Sequence, residues 1–284
     1  MNLRGLKVLS SLIENNFHEQ IDFVVSEIDK SMQNDYYSEI KHLCNKNKIS
    51  FFKRSSQLQN YEGFAMAIGW RWIIDKYEKL IVFHDSILPK YRGFNPLVTA
   101  LINGDKKIGV TAIFADKEFD RGGIIGQKIK SISFPMKIQK AIEMVSALYV
   151  ELTIQIFKML KDELKINLIP QIERDSSYSL WRDEEDYRIK WENNAEHIKR
   201  FIDAIGFPYK GASTIFSEEL IRIIEAVVEE DIEISNRDPG KVICIRDGFP
   251  TVVCRKGLLT IKEAIYDKNH KSFLPQKKLR IRFK

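Results

Sequence analysis

The sequence predicts an α/β chain: a Rossmann-like, mostly parallel sheet over residues 1–165, a linker at 166–176, and a small β-rich C-terminal domain over 177–284. Three observations predict it. Short apolar runs alternate with segments of helical spacing through the first half, as in a wound sheet. The pattern then changes to closely spaced β-rich runs separated by turn residues. Finally, the apolar run at 80–83 ends in the polar cluster His84-Asp85-Ser86, and open α/β sheets place their chemistry at the C-terminal ends of buried strands.

Residues 6–14 put Leu6, Leu9, Leu12 and Ile13 on one helical face. A strand at 21–25, a helix at 35–45 and a strand at 49–52 follow. A doubly wound sheet normally starts with a strand. Here only Met1 to Gly5 precede the first helix, so the first strand is expected to be very short or absent, leaving open backbone groups or a cavity. Residues 64–68 read as a strand ended by Gly69, and 70–77 as a short helix or turn. The central strand follows at 80–83. Residues 95–102 suit a helix, with Pro96 in its first turn and Gly104 at its end. A strand at 110–115 runs into a loop holding Asp116, Glu118 and Asp120, which turns at Gly122 and Gly123. A strand at 124–134, broken by Pro135, and a long amphipathic helix at 136–164 complete this half. Beyond the linker come a helix at 194–205 and strands at 212–216, 221–228, 241–245, 251–255 and 258–264. Asp238-Pro239-Gly240, Asp247-Gly248 and Gly257 mark turns. Five short strands suggest a small barrel of the oligonucleotide-binding type. The basic tail, 268–284, is expected to be mobile.

Hydrophobic residues at 44% suffice for a packed core, and charged residues at 30%, with no long apolar run, argue against a membrane protein. Cys44, Cys244 and Cys254 lack zinc-ligand spacing, so no metal is expected and a reduced, cytoplasmic protein is the default. The net charge of +6 fits an anionic partner such as a nucleotide or RNA, and equally a basic surface without a specific role. One histidine, His84, and one aspartate, Asp120, each just past a strand, suit a proton-transfer pair.

The run His84-Asp85-Ser86-Ile87-Leu88-Pro89, with Arg92-Gly93 after it, resembles the H-x-S-L-L-P-x-x-R-G signature of the 10-formyltetrahydrofolate-dependent formyltransferases. Gly109, Thr111, Asp120, Gly122 and Ile125 resemble that family's second signature, which ends in D-x-G. Arg182, Glu185-Asp186, Ile189, Trp191, Ile198, Ala204, Pro208 and Gly211-Ala212 resemble the entry to the C-terminal domain found in methionyl-tRNA formyltransferases and some amino-sugar formyltransferases. One departure stands out: the family has Asn two residues before the histidine, and this chain has Val82.

The resemblance implies transfer of a formyl group from 10-formyltetrahydrofolate to a primary amine, with His84 and Asp120 catalytic. It implies folate contacts at Gly69, Trp70, Ser86, Leu88 and Asp116, and acceptor contacts at Asp85, Arg92 and Gly93. Three functions stay open. They are N-formylation of a nucleotide-linked amino sugar, formylation of methionyl-tRNA, and a weak or inactive folate-binding relative. Val82 points to the last, since loss of one oxyanion donor costs on the order of a hundredfold to a thousandfold in rate. Oligomeric state is not legible.

Overall fold

The chain enters its fold through a helix. A computed structural model describes residues 3–28, 35–54, 61–74 and 77–284. Helix α1 (Leu3–Glu14) buries Val8, Leu9 and Leu12, the apolar face read from the spacing. Then come β1 (Phe23–Ser26), α2 (Tyr37–Lys46), β2 (Ser50–Lys53), β3 (Ala65–Ala67) and β4 (Leu80–His84). The turn or helix expected at 70–77 includes residues 75–76, which lie outside the described residues, and 70–74 are not helical.

β1 pairs with β2 in parallel, and β3 with β4 in parallel. The two pairs belong to separate sheets, so the parallel part of the fold is split. No strand precedes α1 among the described residues, and a cavity of about 460 Å³ lies where β1 and β3 face it.

The other half of the sheet runs antiparallel. β6 (Lys107–Phe114) pairs antiparallel with β4, and β7 (Ile124–Ser131) pairs antiparallel with β6. "Mostly parallel" thus holds only on one side. The loop between β6 and β7 is too short for a crossover, which a parallel pair would need. Gly122 makes that turn possible: a Cβ there would lie 1.6 Å from the Phe114 carbonyl oxygen. Helix α4 (Ile138–Lys161) covers the sheet with Ala141, Val145, Tyr149, Leu152 and Ile156, spaced by three and four residues and all buried.

Two units result: residues 1–97, 107–132 and 140–180, and residues 98–106, 133–139 and 181–284. The stretch expected as a linker belongs to the first unit. Ile169 bridges to Ile124, and β8 (Tyr178–Ser179) pairs in parallel with β5 (Arg92–Gly93).

In the second unit, β9 (Ala212–Phe216), β10 (Glu219–Glu229), β11 (Val242–Arg246), β12 (Phe249–Val253) and β13 (Leu258–Tyr266) form an antiparallel sheet in the order β11-β12-β13-β10-β9. Helix α5 (Ala195–Ala204) packs on it. The Asp247-Gly248 turn, with φ +53° and +81°, closes β11 onto β12 as read from the sequence. The tail corrects the expectation of mobility. The Ile215 and Lys284 backbones exchange two hydrogen bonds, and Val242 N–H donates to the Ile281 carbonyl at 3.0 Å. The last residues therefore lie between the two outer strands, β9 and β11, with Ile281 and Phe283 buried. No described helix is long and apolar enough to cross a membrane.

Candidate functional site

His84 is the last residue of β4, and 8% of its side chain is exposed. Its Nε2 lies 2.8 Å from the Tyr91 carbonyl oxygen. Its Nδ1 faces Asp120 Oδ1 at 3.5 Å. Both neighbours are acceptors, and a neutral ring donates to only one at a time. Asp120 sits in the turn between β6 and β7 with φ +56°, a conformation disfavoured for any residue with a side chain. Its carboxylate is 15% exposed. Oδ2 accepts the Gly93 N–H at 2.8 Å, which leaves Oδ1 toward His84. The structure thus brings together three residues read from the sequence: His84, Asp120 and Gly93.

A brace that the sequence did not announce holds Asp120. Gln171 Nε2 donates to the Asp120 carbonyl at 2.7 Å and to the Gly122 carbonyl at 2.9 Å. Gln171 Oε1 accepts from Arg92 Nε at 3.1 Å and Nη2 at 3.0 Å. Arg92 Nη1 donates to Glu173 at 2.8 Å and to the Tyr178 hydroxyl at 3.3 Å. Arg121 donates to the same hydroxyl at 2.7 Å. Arg92 is 1% exposed. Its place is therefore inside the unit, as a clamp on 171–178, and not on an open face awaiting an acceptor phosphate. The Arg92 hydrogen bond holds the Glu173 carboxyl below its ordinary range.

Asp85, one residue past the end of β4, is also engaged from within the unit. Arg4 pairs with one carboxylate oxygen and the Tyr149 hydroxyl donates to the other. Both of its carboxylate oxygens are thus occupied within its own unit. Burial, then the Asp85 charge, push the Tyr149 phenol well above its ordinary value.

The loop after β4 is fixed by Thr111 and Gln127. Thr111 Oγ1 donates to the Ser86 carbonyl at 2.7 Å and accepts the Leu88 N–H at 3.1 Å. Gln127 Nε2 donates to the Leu88 carbonyl at 2.8 Å. The Ser86 hydroxyl donates to the Lys90 carbonyl at 2.6 Å, within its own turn. The Leu88 side chain packs with Ile113, Ile124 and the half-buried Val82. Ser86 and Leu88 thus shape this loop from inside. Val82, two residues before His84, shares its face of β4 and meets apolar neighbours.

The remaining expected contacts stand apart from this core. Gly69, at φ +55°, turns the chain after β3. Trp70 meets Trp72 edge-on at 5.0 Å, and among the described residues its buried Nε1 has no hydrogen-bond partner. Asp116 is exposed at the start of the acid-rich loop and caps the Lys117 N–H.

A family described as formyl transferase matches residues 63–145, and one described as formyl transferase, C-terminal domain, matches residues 182–273. A methionyl-tRNA formyltransferase of Thermodesulfovibrio yellowstonii is 31% identical over 236 residues, covering 77% of this chain and 71% of that protein. Matches to further methionyl-tRNA formyltransferases span 56% and 60% of those proteins. The solved structure of an N-formyltransferase from Helicobacter canadensis, in complex with folinic acid and dTDP-3-aminofucose, has a TM-score of 0.64 at 17% identity, over 92% of this chain and 96% of that one. HypX from Aquifex aeolicus has a TM-score of 0.63 at 19% identity, over 95% of this chain and 45% of that one. At these identities the two structures share the fold.

Proposed function

This chain belongs to the formyltransferase family, whose members are enzymes that use 10-formyltetrahydrofolate as donor, and from that premise we propose that it formylates the primary amine of a nucleotide-linked amino sugar. The observation that carries the reading is the meeting of His84, Asp120 and Gly93 at the end of β4.

The donor supplies an electrophilic formyl carbon. The acceptor nitrogen bonds to that carbon and loses one proton, and the departing folate nitrogen gains one. A group that receives and returns a single proton is therefore needed. Asp120 Oδ1 is suited to it, because Gly93 occupies Oδ2 and His84 Nδ1 flanks Oδ1. His84, steadied by the Tyr91 carbonyl, completes the proton-transfer pair. The residues fit a folate in part. The unpartnered Trp70 Nε1 offers a buried donor beside Gly69, and Asp116 is open to contact.

A nucleotide-linked sugar is supported by the near full-length likeness to the Helicobacter canadensis enzyme, both chains being covered almost entirely. The second reading, methionyl-tRNA, is favoured by methionyl-tRNA formyltransferases at 31% identity. Against it, the first half carries no long basic insertion suited to gripping an acceptor stem. A third, a weak or inactive relative, rests on Val82.

The test is a screen of amines with 10-formyltetrahydrofolate, including dTDP-linked amino sugars and methionyl-tRNA. We expect turnover on a sugar, with His84→Ala and Asp120→Ala each losing most of it while staying folded. Turnover on methionyl-tRNA alone would overturn the acceptor. Turnover on nothing would leave the third reading standing.

A further inference from the structure

Ser177 grips the backbone on both sides of Tyr91. Its hydroxyl oxygen accepts the Tyr91 N–H at 3.0 Å, and its carbonyl accepts the Arg92 N–H at 2.8 Å. Its own N–H donates to the Pro89 carbonyl at 3.3 Å. Tyr91 needs this hold. Its φ is +60°, a left-handed backbone that a residue with a side chain keeps only where its surroundings impose it. The peptide before Tyr91 is tied at both ends: the Lys90 carbonyl accepts the Ser86 hydroxyl at 2.6 Å, and the Tyr91 N–H meets Ser177. The peptide after it is tied in the same way, by Ser177 at the Arg92 N–H and by His84 at the Tyr91 carbonyl.

That second peptide joins Ser177 to the transfer site. A trans peptide is planar, and its C=O and N–H point in opposite directions. Holding the Arg92 N–H therefore aims the Tyr91 carbonyl, which lies 2.8 Å from His84 Nε2. A carbonyl only accepts, so Nε2 carries a hydrogen at this contact. In the neutral ring the lone pair then sits on Nδ1, the nitrogen 3.5 Å from Asp120 Oδ1. A proton added to the ring goes on Nδ1. Both ring nitrogens then donate, one to Tyr91 and one to Asp120.

We infer that Ser177 is a positioning residue for the transfer: through the Tyr91 carbonyl it fixes the His84 tautomer, with hydrogen on Nε2 and the lone pair of Nδ1 turned to Asp120. The inference rests on the reading of His84 and Asp120 as the proton-transfer pair. It adds where the proton sits. The proton that the acceptor nitrogen loses on bonding to the formyl carbon is held between Nδ1 and Oδ1, and it passes from there to the departing nitrogen. With the tautomer reversed, Nδ1 would already carry a hydrogen and could not receive it. Gln171 and Ser177 thus serve the two members of the pair from one segment, Gln171 holding the Asp120 loop and Ser177 aiming His84. All of these residues belong to the first unit.

The test reads the ring directly, by nitrogen NMR of the full chain with isotope-labelled histidine in mildly alkaline buffer, the His84 signals being assigned by their loss in His84→Ala. We expect the natural protein to carry the hydrogen on Nε2. Ser177→Ala removes the hydroxyl and should give a mixture of tautomers. Its kcat should fall about tenfold, the scale of one lost hydrogen bond, with KM for donor and acceptor within about twofold. Ser177→Thr keeps the hydroxyl and should restore both the single tautomer and kcat. A hydrogen on Nδ1 in the natural protein would overturn the inference without any variant. So would an unchanged single tautomer in Ser177→Ala, or a fall in kcat that Ser177→Thr fails to restore. Undiminished turnover in His84→Ala would instead overturn the proton-transfer pair, while the tautomer readings would still decide whether Ser177 orients the ring.

Discussion

Gly93→Ala tests the geometry of the site through one atom. Gly93 has φ +95°, and a Cβ there would lie 2.6 Å from the Ser179 carbonyl oxygen. That is roughly 0.8 Å inside ordinary contact. Relief requires β5 to move away from β8, and the Gly93 N–H that holds Asp120 Oδ2 at 2.8 Å moves with it. The left-handed backbone alone costs a residue with a side chain about 1–3 kcal/mol. The melting temperature should fall by roughly 3–10 °C. Turnover should fall more than stability suggests, because misplacing a reacting group by about 1 Å costs on the order of a hundredfold. Gly104→Ala is the control. Gly104 also has φ +81°, but its Cβ would meet only the flexible Arg200 side chain at 3.2 Å, away from Asp120. The assay is formyl transfer to the best acceptor, with melting curves for both variants. We expect both to melt lower and only Gly93→Ala to lose about a hundredfold in kcat. A folded Gly93→Ala enzyme within threefold of the natural rate would refute the argument that Asp120 must be held by this N–H.

Three further predictions follow from neighbouring residues. Arg92→Lys keeps the charge but loses the fork that grips Gln171 and Glu173, so kcat should drop about tenfold with KM for a phosphate-bearing acceptor nearly unchanged; a rise in KM alone would put Arg92 at the acceptor instead. Val82→Asn, facing the same way as His84, should raise turnover at least about tenfold, while its burial among Leu88, Ile113 and Ile124 lowers stability by about 1–3 kcal/mol; no gain in rate would remove Val82 from any account of weak activity. The depressed Glu173 carboxyl gives a signed pH effect: its contribution is fully present above its unfolded pKa and is lost as pH falls through the lower folded value. Wild type should therefore out-melt Glu173→Gln at pH 6, with the difference vanishing in acid, and a difference that persists unchanged in acid would contradict the Arg92 pairing.

What was legible in the sequence was local. His84 ends an apolar run and Asp120 lies in the acid-rich turn after another, so a strand end and a loop pointed to them. Gln171 carried no such signal. Its partners Asp120 and Arg92 lie 51 and 79 residues away, in a stretch whose irregularity reads as a linker. Irregular backbone that hydrogen-bonds a distant loop has no period to detect. Asp85's inward partner Tyr149, 64 residues on, left no mark beside it in the sequence.

The tail shows a signal that was present and outweighed. From Lys278 to Lys284 the chain reads Lys-Leu-Arg-Ile-Arg-Phe-Lys, a strict alternation of charged and apolar residues. Period two is the mark of a half-buried strand whatever the net charge. Ile281 and Phe283 are buried accordingly, while Arg282 faces outward to Asp238 and Lys284 pairs with Ile215 through the backbone. Charge density alone argues for solvation of one face and says nothing about the other. Where the apolar residues recur at the pleat's spacing, backbone bridging to β9 and β11 is the cheaper outcome than a free tail, although Leu279 of the same alternation stays exposed.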